Sequence, residues 1–151
     1  MKVLVTGAAG QLGREMVRVA GTAVVAGLVR ADLDVSDSAA VHEAVTGLRP
    51  DVVVNCAAWT DVDGCELDPE RAQTVNADAV GFLAEACDEV GAHLVHVSTD
   101  YVFNGEASTP YGEDHPTDPV NAYGASKLAG EVAAGAGATV VRSTWLQSAD
   151  L

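Results

Sequence analysis

Apolar and polar positions alternate along this chain in two distinct rhythms. Short runs rich in β-branched residues occupy 2–6, 23–29, 51–56, 93–98 and 139–143. Between them lie Ala-rich segments whose apolar residues recur at helical spacing, at 11–20, from Ser36 or Asp37 to 48, at 68–90 and at 121–134. Strands separated by helices in this way are the pattern of parallel βαβ units. The third run, Asp51-Val52-Val53-Val54-Asn55-Cys56, is apolar almost throughout, as a strand covered on both faces requires. The expected fold class is α/β, a doubly wound parallel sheet of five main strands in the order 2-1-3-4-5.

Punctuation along the chain supports this reading. Ser36 or Asp37 caps the second helix, and Arg49-Pro50 ends it. Asp68 caps the third, and Pro69 suits its first position. Val29 and Leu33 stand too close for a crossover, which needs about a dozen residues, so 32–35 is expected to be an edge extension or loop. Residues 104–120 hold Gly105, Gly112 and three of the five prolines, and are expected to form a surface loop.

The first strand runs into Gly7-Ala8-Ala9-Gly10-Gln11-Leu12-Gly13, a GxxGxxG that opens the first helix. The first glycine allows a tight turn, the second a close approach of a pyrophosphate to the helix-start N–H groups, and the third close helix–strand packing. The pattern alone is weak and could be a structural turn. Its place after an N-terminal strand makes it a dinucleotide site of the Rossmann type. A NAD site usually has an acidic residue at the end of the second strand. This chain has Leu28-Val29-Arg30 there, so Arg30 is a candidate for a 2′-phosphate and the cofactor leans to NADP(H), with NAD as the alternative. Arg30 could equally be a solvated strand-end arginine.

Tyr123-Gly124-Ala125-Ser126-Lys127 places a phenol and an amine at i and i+4 on one helix face. Reduction of a carbonyl needs an acid for the developing alkoxide, and a phenol near pKa ~10 is weak for that task at neutral pH. A nearby ammonium is expected to lower it. Ser98-Thr99, at the carboxyl end of the fourth strand, can supply a hydroxyl that orients the carbonyl.

Together, G-A-A-G-Q-L-G at 7–13, D-V-V-V-N-C-A-A-W-T-D-V-D at 51–63, V-N-A at 75–77, H-V-S-T-D-Y-V-F-N-G at 96–105 and N-A-Y-G-A-S-K-L-A-G-E at 121–131 resemble the dTDP-4-dehydrorhamnose reductase family, extended short-chain dehydrogenases that reduce a 4-keto sugar on a nucleotide. The resemblance runs from residue 1 to about residue 145. It implies that Thr99, Tyr123 and Lys127 are catalytic, and that Gly7, Gly10, Gln11, Leu12 and Gly13 hold the cofactor with Tyr123 and Lys127. It places Asp34 and Val35 near the adenine, and Ala57, Ala58 and Thr60 beside the cofactor. Tyr101 and Trp145, with Thr99, fall on the substrate side. Family members run to nearly twice this length. After Trp145-Leu146 the family's Tyr-Gly and long continuation are replaced by Gln147-Ser148-Ala149-Asp150-Leu151, so residues 1–151 are expected to be the dinucleotide-binding Rossmann domain, truncated before the substrate domain.

Composition narrows the partners. Eight Lys and Arg against 22 Asp and Glu give a formal charge of −14, which argues against nucleic-acid or anionic-membrane surfaces. The apolar runs fall short of the roughly 20 residues that span a bilayer. Three cysteines without CxxC spacing fit a reduced cytoplasmic protein. The expected partner is a nucleotide-sugar substrate, with a homodimer allowed because the fifth strand is expected to present an apolar edge. No metal site is expected: Asp61, Asp63 and Glu66 read as a capped, solvated turn, and His93 and His96 as packing or hydrogen-bonding residues. Asn76 is expected to tie the long helix to the strand ends. Cys56 and Cys87 read as buried, Cys65 as exposed. The competing functions are a sugar-nucleotide epimerase or dehydratase and a non-catalytic NAD(P)-binding subunit.

Overall fold

Val3–Thr6 (β1), buried at all four positions, lies inside a five-stranded parallel sheet in the computed structural model, which describes residues 1–146. β2 (Val24–Leu28) pairs with it on one side and β3 (Val52–Asn55) on the other; β4 (His93–Thr99) and β5 (Thr139–Ser143) complete the order β2-β1-β3-β4-β5. That is the order the chain's pattern predicts. Strand order reverses beside β1, so the carboxyl ends of β1, β3 and β4 meet where ligands of such sheets bind. The expected boundary at 147–151 lies outside the described residues.

α1 (Gln11–Ala20) covers one face, where Met16 and Val17 pack on Val3, Val5 and Val54. The other face carries the larger core, in which Leu4, Val53 and Leu94 of the sheet meet Val41 and Val45 of α2 (Ser38–Leu48). Asp37 is the residue that caps α2, accepting from Ala39 N at 3.0 Å and Ala40 N at 3.1 Å, while Arg49 ends it in the left-handed region at φ 45°. Residues 32–35 form a loop: Asp32 N and Leu33 N both donate to Val29 O.

Two features differ from the sequence expectation. Residues 61–67 are more than a turn: Val62–Leu67 forms a short helix, α3, capped by Asp61, whose side chain accepts from Gly64 N at 3.0 Å. Its inward side buries Cys65 completely against Ala72 and Tyr123, so the expectation that Cys65 is exposed fails. Six residues with a glycine in the middle carry too little periodicity to reveal a helix. The long helix begins as expected, with Asp68 accepting from Arg71 N and Pro69 in its first turn. It then divides into α4 (Pro69–Gln73), a π-helical turn (Thr74–Asp78) and α5 (Ala79–Val90). The π turn presses the Asn76 carbonyl against Gly130 of α6 (Ala122–Ala134), where any Cβ would collide with it. Such turns commonly mark functional sites. Asn76 does tie elements together, accepting from Trp59 N at 2.8 Å and donating to Ser126 Oγ at 3.0 Å.

Candidate active site

The glycine turn is built as its spacing predicts. Gly7 leaves β1 at φ +65°, and a Cβ there would lie 2.6 Å from Ala57 N. A Cβ on Gly13 would strike the Gly7 carbonyl and come within 2.8 Å of Ala8 Cα. The turn as it stands therefore has room only for glycine at both positions. Gly10 is the N-cap of α1 and provides no side-chain acceptor, and the first turn of the helix contains no acidic residue. The helix-start N–H groups and the positive end of the helix dipole thus remain available to an anion.

In front of this turn lies a cavity of about 400 Å³. Gly10, Gln11, Leu12 and Gly13 form one wall, and Thr99, Tyr123 and Lys127 another. Ala58 and Thr60, from the segment after β3, close it on a third side, and Tyr101 and Trp145 reach its rim. Gln11 Nε2 is buried there without a hydrogen-bond partner in the protein. A buried donor of this kind calls for an acceptor from a ligand or water. The bare helix start, the glycine cradle and this donor together fit a dinucleotide.

Asn121 caps α6 by accepting from Gly124 N at 2.7 Å, which sets Tyr123 and Lys127 one turn apart toward the cavity. Tyr123 packs edge-to-face with Tyr101, ring centroids 5.6 Å apart. Burial pushes its pKa above the ordinary phenol value, and the neighbouring Thr99 hydroxyl works against that rise. The expected downward pull from Lys127 is not what sets this phenol. The Lys127 amine donates instead to Val97 O at 2.7 Å and lies 3.4 Å from His96 Nε2. Burial lowers its own pKa to about 8, opposed chiefly by the Glu131 carboxylate. Thr99 begins a 3₁₀ turn, Asp100–Val102, and its Oγ1 accepts from Tyr101 N at 3.2 Å. The Ser98 hydroxyl donates to Glu131 Oε1 at 2.6 Å and the Thr99 hydroxyl to Asp100 Oδ1 at 3.2 Å.

Not every expected residue reaches the cavity. Gly7 and Ala57 lie behind it, backbone against backbone. Arg30 stands at the exposed end of β2 with Nη2 3.7 Å from Asp34 Oδ2. Asp34 also accepts from Ser36 N and Oγ, while Val35 is buried in the core. Sequence reasoning missed several lining residues: Cys56, Val62, Ser143, Thr144 and Leu146. Cys56 is half-buried, and burial raises its thiol to about 11, so it stays protonated. Also missed was a buried polar row behind the site, Thr6, Asn55 and His96, which are register partners on β1, β3 and β4. Its signal was a polar residue near the carboxyl end of each of three apolar strands. Among the described residues, no group of three or more His, Cys, Asp or Glu gathers into a metal-holding cluster.

Residues 1–150 match the family model described as the RmlD substrate binding domain. The chain belongs to this family. It is 51% identical over 154 residues to a dTDP-4-dehydrorhamnose reductase of Streptomyces griseus, a match covering 97% of this chain and 50% of that protein. Among solved structures, it is similar to a dTDP-4-dehydrorhamnose reductase from Clostridium acetobutylicum, with TM-score 0.94, 41% identity and coverage of 99% of this chain and 55% of the other. It is also similar to a dTDP-4-dehydrorhamnose reductase from Bacillus anthracis in complex with NADP, with TM-score 0.92, 37% identity and coverage of 97% and 55%. The chain spans about half the length of the curated relatives it matches.

Proposed function

We propose that this chain carries the cofactor site and the catalytic residues of an NADPH-dependent reductase acting on the 4-keto group of a dTDP-4-keto-6-deoxysugar, the dTDP-4-dehydrorhamnose type of reaction. One observation carries the reading: Thr99, Tyr123 and Lys127 line the same cavity that the Gly10–Gly13 helix start opens. The relative solved with NADP supports the choice of cofactor.

In this reading the helix-start N–H groups of α1 hold the pyrophosphate and Arg30 takes the 2′-phosphate, exchanging its 3.7 Å contact with Asp34 for a stronger one. When bound, the dinucleotide supplies the hydride. Tyr123 gives its proton to the sugar oxygen, and the burial that raises its pKa keeps it protonated through neutral pH. Thr99 hydrogen-bonds the same oxygen and orients it. Lys127 faces the cofactor side, held by the Val97 carbonyl. Tyr101 and Trp145 contact the sugar nucleotide. The same reading makes this a cytoplasmic enzyme with reduced thiols at Cys56, Cys65 and Cys87, and it allows a homodimer. No helix among the described residues is long and apolar enough to cross a membrane.

The test splices this chain in place of the matching half of the Streptomyces griseus relative and follows nicotinamide absorbance with a 4-keto sugar nucleotide. Turnover that disappears in Tyr123→Phe supports the reading. A folded chimaera that binds NADPH but oxidises none of it overturns the reading.

A further inference from the structure

Behind the cavity, four side chains form a buried chain from β1 to α6. Thr6 Oγ1 donates to Asn55 Oδ1 at 2.7 Å, Asn55 Nδ2 lies 3.2 Å from His96 Nδ1, and His96 Nε2 lies 3.4 Å from Lys127 Nζ. Exposure of Thr6, Asn55, His96 and Lys127 is at most 2%. At such burial, the hydrogens in the row are set by its obligate donors and acceptors.

The backbone decides the direction. Ala57 N can only donate, and it donates to Asn55 Oδ1 at 3.1 Å. The amide oxygen therefore faces Ala57 and Thr6, and the Asn55 NH₂ faces His96. Turning the amide over would set two donors against each other and leave Ala57 N unpaired. His96 Nδ1 must then accept, so a neutral ring carries its proton on Nε2. That N–H points at Lys127, whose ammonium has three donors and no lone pair. An ammonium and an N–H facing each other make no bond, whereas a neutral amine accepts from Nε2–H and still donates to Val97 O.

We propose that Asn55 locks His96 in the Nε2–H form and that His96 is thereby a positioning residue that stabilises the neutral amine of Lys127. The equilibrium is simple: Lys127–NH₃⁺ gives one proton to bulk water, and its freed lone pair takes the hydrogen bond from Nε2–H. Burial acts in the same direction on both groups, lowering Lys127 to about 8 and His96 to about 3. The groups that face the amine are His96 from β4, Cys56 after β3 and Glu131 from its own helix, of which the Glu131 carboxylate favours the charged form while the Cys56 thiol stays neutral. Any Cβ at Gly130 would sit 3.4 Å from His96 Nε2, so α6 holds the ring tightly in place. The consequence for catalysis, a lysine that exchanges its proton near neutral pH instead of remaining a permanent cation, rests on the reductase reading. The proton positions do not, and they are measured without substrate.

The test is nitrogen NMR of the labelled chain. With four histidines and two lysines in the sequence, the signals are assignable by single substitutions. The proposal predicts that His96 shows a protonated Nε2 and an unprotonated Nδ1 across the neutral range. It also predicts that Lys127 loses its proton well below the ordinary lysine value of 10.5. Two variants should reverse this. Asn55→Asp supplies a carboxylate that accepts from Nδ1–H, and His96→Gln supplies an amide oxygen that can accept from the ammonium. Each should raise the Lys127 midpoint by about one to two pH units, the equivalent of one hydrogen bond to a charged group. An Nδ1–H ring in the unsubstituted chain overturns the proposal even if neither variant folds. So does a Lys127 midpoint unmoved in a folded His96→Gln.

Discussion

Arg142 and Glu131 meet in a two-pronged ion pair, with Nη2 2.6 Å from Oε2 and Nε 2.9 Å from Oε1. The pair fastens β5 to α6 one turn beyond Lys127, and the same carboxylate takes the Ser98 hydroxyl at the end of β4. Arg142 also lies over the Phe103 ring, 5.1 Å from its centroid. Only 8% of the Glu131 side chain is exposed, so removing its partner leaves a nearly buried charge. Arg142→Ala should cost about 3 kcal/mol, as breaking buried pairs does. Urea unfolding of the variant checks this, and a loss below the range of an exposed pair, about 1 kcal/mol, would contradict it.

Gly13→Ala tests the cradle. Its new methyl meets the Gly7 carbonyl and the Ala8 backbone, neither of which can move without opening the turn. Thermal unfolding should show a loss of about 1–3 kcal/mol from overpacking. NADPH, which should raise the melting temperature of the unsubstituted chain, should no longer do so in the variant.

Stability should depend on pH through His96. Its pKa falls from 6.5 in the unfolded chain to about 3 in the folded one. The unfolded state therefore binds the extra proton, and the contribution of neutral His96 is complete above about 6.5 and lost as pH falls toward about 3. Lys127 behaves alike at higher pH, its contribution fading as pH falls from 10.5 to about 8. Urea midpoints followed from neutral to acid pH should fall less steeply in His96→Gln than in the unsubstituted chain. Parallel curves would contradict the assignment.

Much of this architecture could be read from residue order because its signals are local. Apolar runs bounded by Ala-rich helices specify the parallel sheet, and Asp37, Asp68 and Asn121 cap the helices they precede. The glycine turn and the Tyr123–Lys127 pair are likewise short-range patterns. What stayed hidden depends on register and packing. Thr6, Asn55 and His96 become neighbours only when three strands align, and Cys65 is buried by a helix too short to show a period. The direction of the Tyr123 shift was missed for the same reason. The i, i+4 spacing puts Lys127 near the phenol, but the Val97 carbonyl, distant in sequence, decides where its amine points.

Catalysis should separate Tyr123 from Lys127. In the chimaera, Tyr123→Phe should lower kcat by roughly 10²–10⁴, the usual span for a lost general acid, with NADPH affinity nearly unchanged. Lys127→Ala should weaken both, since the amine serves the cofactor side as well. Stopped-flow hydride transfer alongside NADPH titration checks the split, and a Tyr123→Phe protein of near-normal kcat would remove the phenol from its assigned role.

Calorimetric titration of the chain with NADPH and NADH tests the central claim most directly, because the glycine turn, Arg30, Tyr123 and Lys127 all lie within the described residues. The account predicts one NADPH bound per chain, about tenfold or more tighter than NADH from a charge-assisted contact to the 2′-phosphate. It also predicts that this preference disappears in Arg30→Ala. Absence of NADPH binding by the folded chain would contradict the cofactor site itself, and equal affinities unaffected by Arg30→Ala would contradict its specificity.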